Sequence, residues 1–280
     1  MKENHITADK WEPYFYLASP IFTCISECAK TFDDYTHWPG LTDFNQLLID
    51  RYEGLTSASG SLLQFVEQSG KPACLEAEYE VRIFISGEIQ TRLENWHDYF
   101  QVLVWNTFPK TKVSINKHHA TSICNRHINN KLDRRSSSEN ALTLFDECGA
   151  IIVCSDHSLI DLIKGHAWKK LFVDHKNEFG RSLKCFVFGH AMFEKALKPY
   201  IGMTVHAIIL SVDTDFFNYD ESRQINLIDD LAMHHFNNAK TIDTNMLQPF
   251  PLLGIPGWYK GNEAHSFYDN KQYFRDKRER

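Results

Sequence analysis

The chain has 280 residues and a net charge of −6, with 43% hydrophobic and 24% charged residues. This composition excludes a disordered or fibrous chain, and we predict a single globular domain over 1–280. The N-terminus carries no apolar signal segment and no apolar run is long enough to cross a bilayer, which indicates a cytoplasmic protein without a membrane partner. The seven cysteines are odd in number and form no C-x-x-C pair, which favours reduced thiols over a cysteine-bound zinc ion.

The N-terminal part, 1–75, is predicted to be a helical subregion. Apolar residues recur there at helical spacing in three short stretches, at 20–32, 43–49 and 60–68. The next segment, 79–89, alternates apolar and polar residues and therefore predicts a strand, which Gly87 ends or bulges. The apolar positions of this alternation are Tyr79, Val81, Ile83 and Ile85.

Helices are predicted to dominate the middle of the chain. Residues 94–106 form an apolar helical pattern, and Pro109 stands near the start of the next predicted helix, at 110–129. Ser136 and Glu139 have the spacing of a helix capping box, so a further helix is predicted to begin directly after Ser136.

In the second half of the chain, a continuous apolar run at 150–154 predicts a buried strand. A second buried strand is predicted at 183–188 and a third strand at 204–212. Helices are predicted between and after these strands, at 158–165, 191–198 and 222–237. The alternation favours an α/β fold in which helices surround a small, partly parallel sheet, and a mixed α+β arrangement is the alternative. The tail at 248–280 begins with a proline- and glycine-rich stretch and is predicted to run as extended chain over the body.

Positive charge is concentrated in one segment, 110–135, which holds seven basic residues and one acidic residue and so carries +6. The rest of the chain therefore sums to −12, and such a cationic island in an acidic protein suggests an anion site. On the predicted helix, one face carries an amide, an imidazole and basic groups within a quarter-turn, from Lys112, Asn116, His119 and Arg126. The predicted ligand-binding side chains here are Lys112, Asn116, Arg126 and Arg135. The alternative is a solvated face that pairs with acidic residues of the same chain between 213 and 230.

A His–Asp dipeptide stands at the start of the predicted helix at 94–106. In metal phosphohydrolases, adjacent His and Asp residues bind metal together with a separate His and a later Asp. The weak metal-ligand candidates are therefore His97, Asp98, His119 and Asp146. The alternative is a capped helix start in which His97 bonds locally. No cofactor is identified by the sequence.

His190 stands at a predicted strand-to-helix junction. Ligands of α/β sheets gather at the carboxyl ends of strands, and a helix N-terminus favours anions and a neutral imidazole. Ser155 and Asp156 are predicted to lie at the equivalent end of the preceding strand, without the G-x-S-x-G of a hydrolase elbow. Tyr268 and Asp269 are predicted to close the site from the tail as ligand-binding residues.

Several segments together resemble a bacterial family of uncharacterised proteins, domain of unknown function 3025. The residues that carry the resemblance are Asn95-Trp96-His97-Asp98, Phe108-Pro109-Lys110-Thr111-Lys112, Asn140 to Glu147, Gly189-His190-Ala191, Leu253 to Trp258 and Phe267-Tyr268-Asp269. The resemblance runs from about Tyr79 to the end, so 76–280 forms the family-like core and 1–75 a preceding part. It implies a bacterial cytosolic protein and supplies no activity, cofactor or catalytic residue.

The favoured hypothesis is an enzyme, a hydrolase or transferase, that acts on a small molecule bearing phosphate or carboxylate through histidine acid–base chemistry. The catalytic candidates are His119, His190, Asp98 and Asp146. This hypothesis requires that side chains distant in sequence line one pocket, namely His119, Arg126, His190 and Tyr268. The alternatives are an interaction protein whose basic 110–135 face docks an acidic partner and, less favoured, an RNA- or DNA-binding protein.

Overall fold

The computed structural model describes residues 10–130 and 134–277. The fold is mixed α/β, with 55% helix, 13% strand and two small sheets surrounded by helices, which confirms the predicted fold class. The α-helices are α1 (Ser26–Ala29), α2 (Leu41–Arg51), α3 (Tyr79–Ser86), α4 (Trp96–Thr107), α5 (Pro109–Ile128), α6 (Ser137–Cys148), α7 (His157–Lys164), α8 (His190–Ala196) and α9 (Glu221–Asn237). The strands are β1 (Gln64–Glu67), β2 (Glu88–Thr91), β3 (Gly149–Cys154), β4 (Leu183–Val187), β5 (Thr204–Ser211) and β6 (Gln248–Pro251).

The N-terminal part is helical up to α2, and the helix predicted at 60–68 is wrong. That stretch contains β1, which pairs in parallel with β2. The side chain of Asn45 on α2 holds β1 from its other side, because it donates to the Phe65 carbonyl and accepts from the Phe65 amide at 2.9 and 2.8 Å. This pair of bonds replaces the partner strand that Phe65 lacks on that side, and satisfies its backbone groups.

The strand predicted at 79–89 is also wrong, because most of it forms α3. Val81 and Ile83 are buried as the alternation requires, but Ile85 is 41% exposed. Helix α3 packs against α5, and Gly87 ends it with φ 73° in the left-handed region. A side chain at Gly87 would meet the Leu62 carbonyl, so the chain can turn directly into β2 only with glycine there.

Helices α4, α5 and α6 begin within two residues of their predicted starts, and the caps of α4 and α6 are encoded locally. Asn95 accepts the amide of Asp98 at the start of α4, and Ser136 forms a complete capping box with Glu139 at the start of α6. Asp229 on α9 accepts the Lys110 and Thr111 amides at the start of α5. A buried carboxylate therefore replaces the missing helical acceptors at the start of α5.

The main sheet has the strand order β4-β3-β5-β6, in which only the central pair β3 and β5 is parallel. The partly parallel sheet is therefore confirmed. Strands β3 and β4 run antiparallel, with Ala150 opposite Val187 and Cys154 opposite Leu183. Consequently Ser155 and His190 lie at opposite ends of the sheet, and the prediction that they share one end is wrong.

The buried side chains of the described residues form a nearly continuous core that runs from Trp11 to Phe274 and reaches both sheets. The tail is extended only over β6, and it then crosses the body in short 3-10 turns, with aromatic side chains such as Tyr268 and Phe274 packed into the core. Within the described ranges, no helix has both the length and the apolar character needed to cross a bilayer.

Candidate functional site

Two histidines from different helices face each other at the edge of the main sheet. His97 is the second residue of α4 and His190 is the first residue of α8. Their Nε2 atoms lie 3.0 Å apart, and the rings meet nearly edge to face at 83°. Gly189 brings His190 to this position, since a side chain at Gly189 would lie 2.4 Å from the Glu147 carbonyl oxygen. Glycine therefore lets the start of α8 pack onto the end of α6.

A carboxylate stands behind each of these imidazoles. The Nδ1 atom of His97 lies 2.9 Å from Oε2 of Glu194, which is four residues after His190 on α8. The Nδ1 atom of His190 lies 3.7 Å from Oδ2 of Asp146, and Asp146 is held in turn by Lys112 through an Nζ–Oδ1 contact of 2.5 Å. Each ring therefore turns Nδ1 to a carboxylate and Nε2 to the other ring.

Glu147 completes a group of three metal-binding side chains with His97 and His190. One carboxylate oxygen of Glu147 and one nitrogen from each ring all lie within 4.8 Å of one another. His190 is buried, whereas the side chain of His97 is 25% exposed and Glu147 is partly exposed. The group is therefore fixed on its inner side and open to solvent on the other.

The charge states at this site follow from burial and from Lys112. Burial lowers the pKa of His190 to about 4, against the opposing effect of Asp146, and the nearby Lys112 ammonium lowers it further. Burial alone would raise the pKa of Asp146, but Lys112 and His190 hold it below its usual value. At neutral pH the site thus contains a neutral His190 ring beside a charged Lys112–Asp146 pair.

His119 belongs to a separate polar group on the other side of the Lys112–Asp146 pair. Its Nδ1 atom lies 3.5 Å from Oε1 of Glu80, and Asn116 donates to Oε2 of Glu80 at 2.7 Å. Burial alone would lower the pKa of His119, but Glu80 raises it above the usual value. These side chains line a cavity of about 10 Å³, which has room for about one water molecule.

Two residues that the sequence suggested for this site have other partners. Asp98 binds the backbone amide of Arg92 and both Nε and Nη2 of its guanidinium, at 2.6 to 3.1 Å, and so fastens the loop before α4. Arg126 contacts Glu139 at 3.1 Å and Glu78 at 4.0 Å. Asp98 therefore lies outside the histidine pair, and the charge of Arg126 is neutralised within the chain.

The residues suggested from the tail also lie elsewhere. Tyr268 is buried and donates to the Gly254 carbonyl at 3.1 Å. Asp269 is exposed and pairs with Lys169 at 2.6 Å. The pocket that was expected to combine His119, Arg126, His190 and Tyr268 is therefore not formed. Arg135, near the other end of the basic segment, is exposed and donates to Thr143 at 3.4 Å.

Much of the basic segment 110–135 pairs with acidic residues of the same chain. Lys110 contacts Asp230 at 2.6 Å, in addition to the buried Lys112–Asp146 pair and the Arg126–Glu139 pair. Lys131, which the sequence counts in this segment, falls outside the described residues. Of the acidic partners expected between 213 and 230, only Asp230 is used in this way, by Lys110. Lys112 and Arg126 pair instead with Asp146 and Glu139, which lie outside that range.

Sequence reasoning missed Glu147 and Glu194. Glu147 follows Asp146 directly in the sequence. The Glu147 carboxylate lies beside the two rings, whereas the Asp146 carboxylate faces Nδ1 of His190. Glu194 could have been found, because a residue four positions after His190 lies on the same helix face. Only the fold could show that this face of α8 meets the start of α4.

A family model described as "Protein of unknown function (DUF3025)" matches residues 63–278. The chain therefore belongs to this family, as the resemblance indicated. The matched region starts at β1 and includes every residue of the histidine site. No curated protein and no solved structure matches the chain significantly.

Proposed function

We propose that the protein is a metal-dependent enzyme in which His97, His190 and Glu147 bind a divalent transition-metal ion. The observation that carries this proposal is the pair of Nε2 atoms 3.0 Å apart, each on a ring whose Nδ1 atom faces a carboxylate. Two neutral imidazoles can meet this way only if one donates a hydrogen bond to the other. A shared cation satisfies both nitrogen lone pairs at once.

The distances suit a zinc-like ion. Two imidazole nitrogens at about 2.0–2.1 Å from such an ion lie about 2.8–3.4 Å apart at angles between a right angle and a tetrahedral one. The observed 3.0 Å separation falls in this range. One carboxylate oxygen of the partly exposed Glu147 lies within 4.8 Å of both ring nitrogens, which makes Glu147 the candidate third ligand. Two histidines and one glutamate leave further coordination positions open on the solvent side.

The surrounding carboxylates support the same assignment. Metal-bound histidines generally donate their second ring nitrogen to a carboxylate or carbonyl, which fixes the tautomer and the ring orientation. Glu194 is in place to accept from His97. The Nδ1 atom of His190 is buried with no hydrogen-bond partner among the described residues, and it faces Asp146 at 3.7 Å. A small shift of the His190 ring toward Asp146 would supply that hydrogen bond.

The chemistry that fits this arrangement is hydrolysis of a small molecule bearing phosphate or carboxylate. A divalent ion with an open position lowers the pKa of a bound water to near neutrality and polarises an anionic ester. The exposed Lys195 ammonium contacts Sγ of Cys148, the residue that follows Glu147 on α6. His190 then acts as a metal ligand in this proposal, and His119 lies outside the reacting group.

Free cysteines support a cytoplasmic setting.

Metal titration of the full chain tests the binding step. After treatment with chelator, calorimetry with zinc is expected to show one site per chain, and His97→Ala and His190→Ala are expected to weaken binding at least a hundredfold. The matched control is His265→Ala, since His265 is exposed and distant in the chain from the site. Equal zinc affinity in His190→Ala and His265→Ala would refute the assignment.

Activity is tested separately on p-nitrophenyl phosphate, bis-p-nitrophenyl phosphate and p-nitrophenyl acetate. Hydrolysis of at least one ester is expected to require metal and to be lost in Glu147→Gln. Glu263→Gln, a conservative change in the tail, is the control. Zinc binding without hydrolysis of any of these esters would contradict the proposed hydrolytic chemistry, and unchanged hydrolysis by the metal-free protein would contradict the role of the ion.

A further inference from the structure

A cleft of about 550 Å³ opens at the end of the main sheet opposite to the histidine site. It lies where β3 and β5 end, and Cys154 and Ser211, the last residues of these strands, line its floor. Strand β3 is six residues long, so the cleft lies about 17 Å from the first residue of β3, which follows Glu147 by two positions. The two sites are therefore distinct.

The topology of the sheet explains why a cleft forms at this position. Strands β3 and β5 are parallel neighbours, but β3 continues to β4 on one side of the pair and β5 continues to β6 on the other. The connections leave in opposite directions and cannot cover the gap between the two carboxyl ends. In open α/β sheets this switch point is where ligands bind.

One wall of the cleft is apolar and exposed. Leu227 and Leu231 stand one turn apart on α9, and each is 37% exposed although its aliphatic side chain could be buried. Phe216 lines the same cleft below them. Large aliphatic side chains at i and i+4 that face a cavity suit an apolar ring more than they suit water.

Charge in the cleft is negative, and one carboxylate is available. Two aspartates line it, but Asp230 is paired with Lys110 at 2.6 Å. Asp213 precedes a short 3-10 turn at the position of an N-cap, yet its side chain makes no capping hydrogen bond and forms no ion pair with any described residue. By contrast, Asp156, at the nearby start of α7, caps the Ser158 amide. Asp213 therefore presents an unused acceptor at the cleft.

We propose that this cleft binds a small cationic molecule with an apolar body, of the arylalkylamine class. The ring lies against the leucine wall of α9, and the ammonium pairs with Asp213. Ser155 and Ser211 also line the cleft, and a serine hydroxyl can accept one of the remaining N–H groups. The volume suits a molecule of this size, because small-molecule sites measure about 300–1,000 Å³.

The probe is tryptamine, with indole-3-propionate as the matched anion that carries a similar ring and the opposite charge. Calorimetry and saturation-transfer NMR on the full chain at low salt are expected to show tryptamine binding with a Kd of about 1 mM, the order expected for a ligand of this size. Indole-3-propionate is expected not to bind. Asp213→Asn is expected to weaken tryptamine binding about tenfold, as the loss of one ion pair does.

Asp215→Asn is the control variant, because Asp215 lies two residues away in the same turn, is exposed and does not line the cleft. It should leave tryptamine binding unchanged. The proposal is overturned if tryptamine does not bind, if the two indoles bind equally, or if both Asp variants behave alike. Glu147→Gln is expected to bind tryptamine normally, so this result is independent of the metal proposal.

Discussion

Replacing Lys112 by methionine tests the buried ion pair that supports the histidine site. Lys112 is 3% exposed, and its ammonium contacts Asp146 at 2.5 Å and lies 4.9 Å from the centre of the Trp105 ring. Methionine keeps most of the volume of the side chain and removes the charge. Asp146 is then left as a buried carboxylate whose main counter-ion is missing.

The expected cost is about 3–5 kcal/mol of unfolding free energy, the usual penalty for breaking one side of a buried pair. The lower end of this range is expected, because His190 lies 3.7 Å from Asp146 and can take up a proton to replace the lost charge. The penalty should shrink as the pH falls, since the unpaired Asp146 of the variant gains a raised pKa and becomes neutral on acidification.

Urea unfolding followed by both fluorescence and circular dichroism measures this cost. Lys117→Met is the control, because Lys117 is an exposed lysine on the same helix, and it should cost less than about 0.5 kcal/mol. Adding Asp146→Asn to Lys112→Met should recover much of the loss. A cost of Lys112→Met below about 1 kcal/mol at neutral pH, or no recovery in the double variant, would refute the reasoning.

Three further predictions follow from the structure. Glu80→Gln should lower the pKa of His119 in NMR titrations. It should also destabilise the protein more at pH 6 than at pH 9, because a raised histidine pKa stabilises the fold below the unfolded pKa and that stability is lost as the pH rises. A His119 pKa unchanged by the substitution would count against this pairing. Gly87→Ala should lower the free energy of unfolding in urea by at least about 1–2 kcal/mol. The control Gly70→Ala should be close to neutral, because a side chain there meets no neighbouring atom. Equal effects of the two substitutions would contradict the role of Gly87 in the turn. Ser136→Ala should cost about 1 kcal/mol in the same assay, and no measurable loss would argue against the capping box.

The parts of the fold that the sequence predicted correctly are those set by local chemistry. The capping box at Ser136 and the continuous apolar run of β3 place elements without knowledge of their neighbours. The strand predicted at 79–89 failed because an alternating pattern of eight residues also fits a helix packed on α5. The direction of β4 relative to β3 could not be predicted, since the long connection between them allows either pairing.

The candidate site shows the same division between local and distant information. His97, Asp146 and His190 were selected from sequence, and the structure brings them together. Asp98 and Arg126 were selected on the same grounds, but each lies next to an oppositely charged partner that only the folded chain reveals. The sequence alone does not show whether a charged side chain is free to bind a ligand or is already paired with a counter-ion in the fold.

X-ray absorption at the zinc K-edge of the reconstituted full chain tests the proposed metal site most directly. The expected spectrum shows nitrogen and oxygen neighbours at about 2.0–2.2 Å, with the multiple scattering of two imidazoles, reduced to one in His97→Ala. A first shell dominated by sulfur at about 2.3 Å, or an imidazole count that His97→Ala does not change, would contradict it.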